Sequence, residues 1–314
     1  MIGIGCGNVA CSDWSPTKNV ELISSAAAGG GPDVTARIIQ SIWHSKKIIA
    51  GTVSVVNKPG GNYSAAYAYL NQHGGDPHYL LMASLGLLAG NAAVTNAILL
   101  TNESVIARLF SEYMVIAVRA DSPINTGRDL ARRLMNDPGS LSIAVGGGAG
   151  GVNHLAIAAA MKSAGVAIKN LKLVAFNSSS EAMVAVLGGH VDAAASTATA
   201  FIHGETGALR VLAISAPRRV GGALANMPTW REQGIDTIFD NFRFVLGPRG
   251  MRQEQIAYWE KVFSSLAASD EWKRTLAANH WTTAYLKSAE TKQAMSTQYE
   301  QLKAVLTELG LTKN

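Results

Sequence analysis

The chain has 314 residues, nearly half of them apolar (48%) and only 16% charged, with a formal net charge of +5. That length predicts two lobes rather than one core. Basic residues never run longer than a pair and no aromatics interleave with them, so a nucleic-acid surface is disfavoured; no stretch approaches the roughly 18 apolar residues of a membrane-spanning helix.

Met1 to Ala10 is small and apolar, but too short for a complete signal peptide and without a basic start, so residues 1–17 read as a leader remnant or flexible N-terminus. Cys6 and Cys11 are the two cysteines. Without a Cys-x-x-Cys or a His-rich segment they make no metal centre; pairing, or a lipid anchor on Cys6 after Gly3-Ile4-Gly5, stays open.

The apolar run Val20 to Ser24 reads as a strand. It leads into Ala26-Ala27-Ala28-Gly29-Gly30-Gly31-Pro32-Asp33, and from Asp33 to His44 the residues Val34, Ile38 and Ile42 recur at helical spacing. Successive glycines leave backbone N–H groups uncovered, and the first helical turn adds unpaired donors at the positive end of a dipole. Such a turn can seat an anion; equally, it can be a tight connection with no ligand.

Further strands are predicted at Val53 to Asn57, Tyr79 to Ala83, Tyr113 to Arg119, Ser142 to Gly146, Leu171 to Phe176, Val191 to Ser196, Val211 to Ser215 and Phe242 to Leu246. Helical spacing at Asn153 to Ser163 and Glu181 to Leu187 falls between them, the pattern of a parallel sheet covered by helices. Asp121-Ser122-Pro123 and Met227-Pro228-Thr229 read as joints between lobes, which divides the chain into 18–119 with 229–314, and 120–228. The C-terminal third is predicted helical at Gln255 to Ala267, Ser269 to Ala278 and Ala289 to Leu309, with strands scarce; its stripe Ile256, Trp259, Val262, Phe263 and Leu266 reads as core.

Gly146-Gly147-Gly148-Ala149-Gly150-Gly151 repeats the opening arrangement and satisfies the dinucleotide spacing G-x-G-x-x-G. A dinucleotide site also needs an acid at the end of the next strand, to hold the ribose. That strand ends in Asn177, which weakens the nucleotide reading. Two anion-friendly turns point instead to a ligand between lobes, at the carboxyl ends of both sheets. Ser84, Ser178 with Ser179, and Ser196 with Thr197 stand at those ends, each a ligand donor or a helix cap. Ser178-Ser179-Ser180-Glu181 has capping-box spacing. His154 either donates to an anion or packs on the turn, while Asp192, at a strand start, reads as structural. Catalysis finds no support: there is no G-x-S-x-G elbow, no carboxylate pair evident from spacing and no histidine at helical metal spacing from a partner.

Taken in order, these residues resemble the solute-binding proteins of the tripartite tricarboxylate transporter system, the Bug family. The resemblance covers Val20 to the C-terminus through Ala27 to Asp33, Asn57-Lys58-Pro59-Gly60-Gly61-Asn62, Asp76 with Tyr79-Leu80-Leu81, and Gly150 to Leu155. It continues at Leu187-Gly188-Gly189-His190-Val191-Asp192, Pro217-Arg218-Arg219, Met227-Pro228-Thr229 with Glu232 and Gly234, and Gly247-Pro248. It implies an α/β protein of the periplasm, a two-lobed, type II-like clamshell of the periplasmic-binding-protein kind, each lobe a mixed sheet flanked by helices. It further implies a monomer that captures a small organic mono- or dicarboxylate and delivers it to membrane permease subunits, with no cofactor, no metal, no catalytic residue and no nucleic acid. A nucleotide-binding α/β enzyme and a carboxylate-sensing module with the same fold are the alternatives.

Mapped onto this chain, the resemblance places the ligand against Ala27, Ala28, Gly29, Gly30 and Ser84 in the first lobe. The second lobe would supply Gly147, Gly148, Ala149, Gly150, Gly151, Asn177, Ser178, Ser179, Ser196 and Thr197, with His154 a further candidate from its place at the helix start. The chain departs from the family where Ser25 and Ala26 replace a proline and an aromatic, and where Ser196 replaces an aspartate whose absence disfavours an amino-acid ligand. Arg243 stands near an expected aromatic pair, where it either offers a carboxylate a bidentate fork or faces solvent.

Overall fold

The computed structural model describes residues 14–93, 104–204 and 207–312. Cys6, Cys11 and most of the expected leader remnant lie outside them. Two sheets organise the chain. The first is built on β1 (Val20–Ser24), with β2 (Val53–Asn57) and β3 (Tyr79–Ser84) parallel to it. β10 (Arg243–Gly247), β4 (Ser104–Ser111) and β11 (Thr282–Lys287) extend it by antiparallel pairing, giving the order β11-β4-β10-β3-β1-β2.

The second sheet has β6 (Ser142–Gly146) parallel to β7 (Lys172–Phe176) and β8 (Ala193–Thr197). β5 (Met114–Arg119) joins β8 to β9 (Leu209–Ile214) by antiparallel pairing, in the order β7-β6-β8-β5-β9. Both sheets are therefore mixed, as the family resemblance implies, rather than parallel throughout. Parallel neighbours need a crossover, and helices supply it: α1 (Gly31–Ser45) and α2 (Ser64–Asn71) in the first lobe, α5 (Val152–Ser163) and α6 (Ser179–Leu187) in the second, where α4 (Gly127–Asn136) leads from β5 to β6.

β1, β2 and β6 have the bounds expected, and the helical C-terminal third resolves into α8 (Gln253–Ala268), α9 (Asp270–Ala278) and α10 (Ser288–Glu308). The stripe on α8 is core: Trp259 and Phe263 are fully buried, and Trp259 stacks on Trp43 of α1 at 5.8 Å. Two strands stand where none is expected. β4 pairs on both sides with antiparallel strands from late in the sequence, and β11 is a half-exposed edge strand with a register break between Thr283 and Leu286. α10 packs both on α3 (Leu85–Ala92) in the first lobe and on α5 in the second. No described helix is long and apolar enough to cross a membrane.

The chain changes sheet elsewhere than at the expected joints. β5 already belongs to the second sheet, so the outward passage lies between Ser111 and Met114, ahead of Asp121-Ser122-Pro123. The return is late: Thr229 still bridges to Ile214, and Phe239 still donates to the Ser215 carbonyl, so the passage lies at Asp240 to Phe242, beyond Met227-Pro228-Thr229. The physical reason is that the two passages pair with each other. Tyr113 bridges to Asp240, and Asn241 donates its N–H to the Glu112 carbonyl at 3.0 Å. The buried ion pair Arg243–Glu112 and the partly buried pair Arg108–Asp240 flank them, pairing charges that would otherwise be costly to bury.

Candidate functional site

At the end of β1 the chain turns through Gly29, whose φ is +81°. Its N–H donates to Asp33 Oδ2 at 2.8 Å, and Asp33 also accepts from Asn57 Nδ2 at 2.7 Å and from Arg37 Nε. Burial raises the Asp33 carboxyl pKa, but the bonds from Arg37, Gly29 and Asn57 outweigh it and hold the group below its usual range. Gly30 is the N-cap of α1 and has no side chain to cover the first-turn donors. A Cβ on Gly31 would overlap Nη2 of Arg243, so glycine is what lets the guanidinium lie against the turn.

The second turn is wired in the same way. Gly150, at φ +75°, donates to Nδ1 of His154 at 2.9 Å, Gly151 is the uncapped N-cap of α5, and its N–H reaches the Gly148 carbonyl as that of Gly30 reaches Ala27. His154 is 4% exposed and burial lowers its pKa to about 4, so it is neutral at pH 7 and its second nitrogen carries the proton. At Gly146 a Cβ would overlap the backbone of Ser178 and Ser179, so glycine allows β6 to run close under α6.

Three more helices begin here: α3, capped by Ser84; α6, capped by Ser178; and α7 (Ala198–His203), capped by Thr197. All five N-cap residues line one cavity of about 470 Å³ between the lobes. Among the described residues that line it there is no Asp, Glu, Lys or His, and one arginine. That residue, Arg243, is 5% exposed; Nη1 donates to the Asn241 carbonyl at 2.9 Å, Nη2 to Glu112 Oε2 at 2.7 Å, and Nε is buried with no partner. Converging helix N-termini with little opposing charge form a seat for an anion.

The residues expected at the site divide into two groups. Gly30, Ser84, Gly147, Ala149, Gly150, Gly151, Asn177, Ser178, Ser179, Thr197 and Arg243 line the cavity. Ala27, Ala28 and Gly29 stand exposed at the tip of the first turn, and Gly148 serves as an internal acceptor of the second. His154 lies beneath that turn as its acceptor, and Ser196 is wholly buried in β8 with no partner for its hydroxyl. Arg243 is buried in an ion pair and does not face solvent. In the capping box on α6, Ser178 accepts from Glu181 N–H, but the Glu181 carboxylate accepts from Asn177 rather than from the cap itself. The dinucleotide alternative weakens further here, because Gly147, Gly150 and Gly151 all give their N–H groups to acceptors within the protein.

Several wall residues escape a reading by strand ends. Tyr63, at φ +75°, lays its ring over Gly86, where a Cβ would overlap it. Asn153 ties the second loop to α6, donating to Gly146 O at 3.2 Å and Ser179 Oγ at 2.7 Å. Asn241, the small face of α3, and Leu306 and Leu311 also stand in the wall. The repeat Gly86, Ala89, Gly90, Ala93 is a signal that was available in the sequence, since those positions share one helix face.

Two mixed α/β lobes with a ligand-sized cavity between them, walled by helix N-termini, define a solute-binding protein. The chain belongs to the TctC family, the tripartite tricarboxylate transporter family receptors, whose model matches residues 36–311. The fold superposes on a TctC solute-binding protein from Polaromonas with a TM-score of 0.77 and 26% identity, over 94% of this chain and 99% of that one. An R. palustris protein solved with adipate gives 0.78 and 19%, over 94% and 98%. A Cupriavidus necator protein, the UPF0065 protein in the gbd 5' region, is 25% identical over 309 residues, 97% of this chain and 91% of its own.

Proposed function

We propose that this protein reversibly captures a small organic carboxylate between its lobes in the periplasm. It then delivers the ligand to the permease subunits of a tripartite tricarboxylate-type transporter. The observation that carries the reading is the convergence of five helix N-termini on a cavity with no acidic side chain among its described lining residues. Two of those helices, α1 and α5, one from each lobe, lack a side-chain cap, and at α1, where Arg243 lies against Gly31, a ligand acid group completes the open first turn. The adipate held by the similar R. palustris protein supports the same ligand chemistry. The protein works as a monomer, and binding involves no covalent step.

The test is thermal unfolding against a panel of aliphatic and aromatic acids with neutral solutes of matched size. A ligand present at 100 times its Kd adds about 2.7 kcal/mol of stability. Upward shifts of the melting temperature with acids are expected; shifts with neutral solutes alone would overturn the proposal.

A further inference from the structure

We infer that the ligand carries one carboxylate on a long or bulky apolar body, with the acid group against Gly31 and Arg243; the inference rests on the carboxylate reading above. Charge limits the acid count. Arg243 is the one charged side chain lining the cavity among the described residues, and Glu112, 4% exposed and 2.7 Å from Nη2, already balances it. The unpartnered Nε–H of that buried guanidinium, together with the uncapped start of α1, leaves donors for one acid group. At the second turn no cation answers: His154 is neutral, and Gly150 and Gly151 have given their N–H groups to His154 and Gly148. A second carboxylate taken out of water there would be unpaired, which is costly.

The walls supply the rest. Ser84, opposite Arg243 in the β3–β10 register, starts α3, and from there Gly86, Ala89, Gly90 and Ala93 line the cavity over roughly 10 Å of helix. Their small side chains leave a trough beside the Tyr63 ring. Leu306 and Leu311 line the cavity where they approach Gly150. A volume of about 470 Å³ lies in the range that holds ligands larger than a four-carbon acid.

Titration calorimetry with octanoate, octanedioate and octan-1-ol tests this at fixed chain length. Octanoate is expected to bind at least ~10-fold more tightly than octanedioate, and butanoate, hexanoate and octanoate to tighten by about fourfold per methylene. In Leu311→Lys, which places a cation near the far end, the preference is expected to narrow or reverse. Equal or tighter binding of octanedioate by the unaltered protein, a flat chain-length series, or an unchanged preference in Leu311→Lys would each overturn the inference, while leaving the carboxylate reading intact. If no acid binds, including malate and adipate, the carboxylate reading falls and this one with it.

Discussion

Gly29 and Gly150 do the same work in different lobes: each, at positive φ, gives its N–H to the side chain four residues on, Asp33 in one turn and His154 in the other. In both, the inner bond holds the loop so that the open first turn of a helix faces the cavity. The latches differ in charge. Asp33 puts a negative group behind the positive end of α1, and Arg37 and Asn57 are there to hold it. His154 is neutral, sits behind α5 without a second partner, and costs that turn none of its positive potential. The first turn, with an anion at its back, is also the one that has Arg243 at its front. The backbone device is thus one, and its electrostatics are set separately in each lobe.

Removing each latch gives the largest effects. Asp33→Ala leaves Gly29 N–H, Asn57 and Arg37 without their acceptor and is expected to cost about 4 kcal/mol. His154→Ala loses one bond and opens a cavity, for about 3 kcal/mol. Urea unfolding of the two variants measures both, and a reversed order would mean that the neutral latch is the stronger.

Acid separates the latches next. The His154 pKa is about 4 folded against about 6.5 unfolded. Between those values the unfolded chain binds a proton that the folded one does not, so stability falls as pH drops from 6.5 to 4, by about 3 kcal/mol in full. Asp33, held below its usual range, keeps its contribution until the pH falls lower still. Urea midpoints at pH 7 and pH 4.5 are expected to show the loss, and His154→Gln to remove it; an equal loss in the variant would assign the slope to other groups.

The smaller effects concern the faces of the turns. Gly31→Ala displaces the Arg243 guanidinium and is expected to weaken carboxylate binding about tenfold, or 1.4 kcal/mol, together with a lower melting temperature as the buried pair with Glu112 is disturbed. Unchanged affinity would remove Arg243 from the site. Gly29→Ala and Gly147→Ala meet no neighbour but sit near φ +80°, so each is expected to cost about 1 kcal/mol from backbone strain alone. A larger loss in one of them would expose a difference between the turns that their shared geometry conceals.

Much of this was legible from residue order. Glycines after an apolar run and before a helical stripe mark both turns, because strand, tight turn and helix start are local events. The latches were harder to read: at His154 the sequence leaves donation to an anion and packing on the turn equally open until its Nδ1 is seen to face back into the loop, and Asp33 looks like an ordinary first-turn acid. The passages between sheets differ from the joints expected at the prolines because proline is a local signal. The true crossings depend instead on Glu112, Asp240 and Asn241 meeting partners far along the chain. β11 escaped for a related reason, since an edge strand with one neighbour needs no continuous apolar run.

Those crossings have a mechanical consequence. Because the outgoing and returning passages lie side by side, tied through Tyr113 to Asp240 and Asn241 to Glu112, they form a two-ply strap rather than two separate threads. A strap of that kind folds readily about one line and resists twisting about its length. With α10 packed on both lobes beside it, that strap would keep the two glycine turns in register, so that they meet a ligand in the same relative orientation whenever the jaws come together.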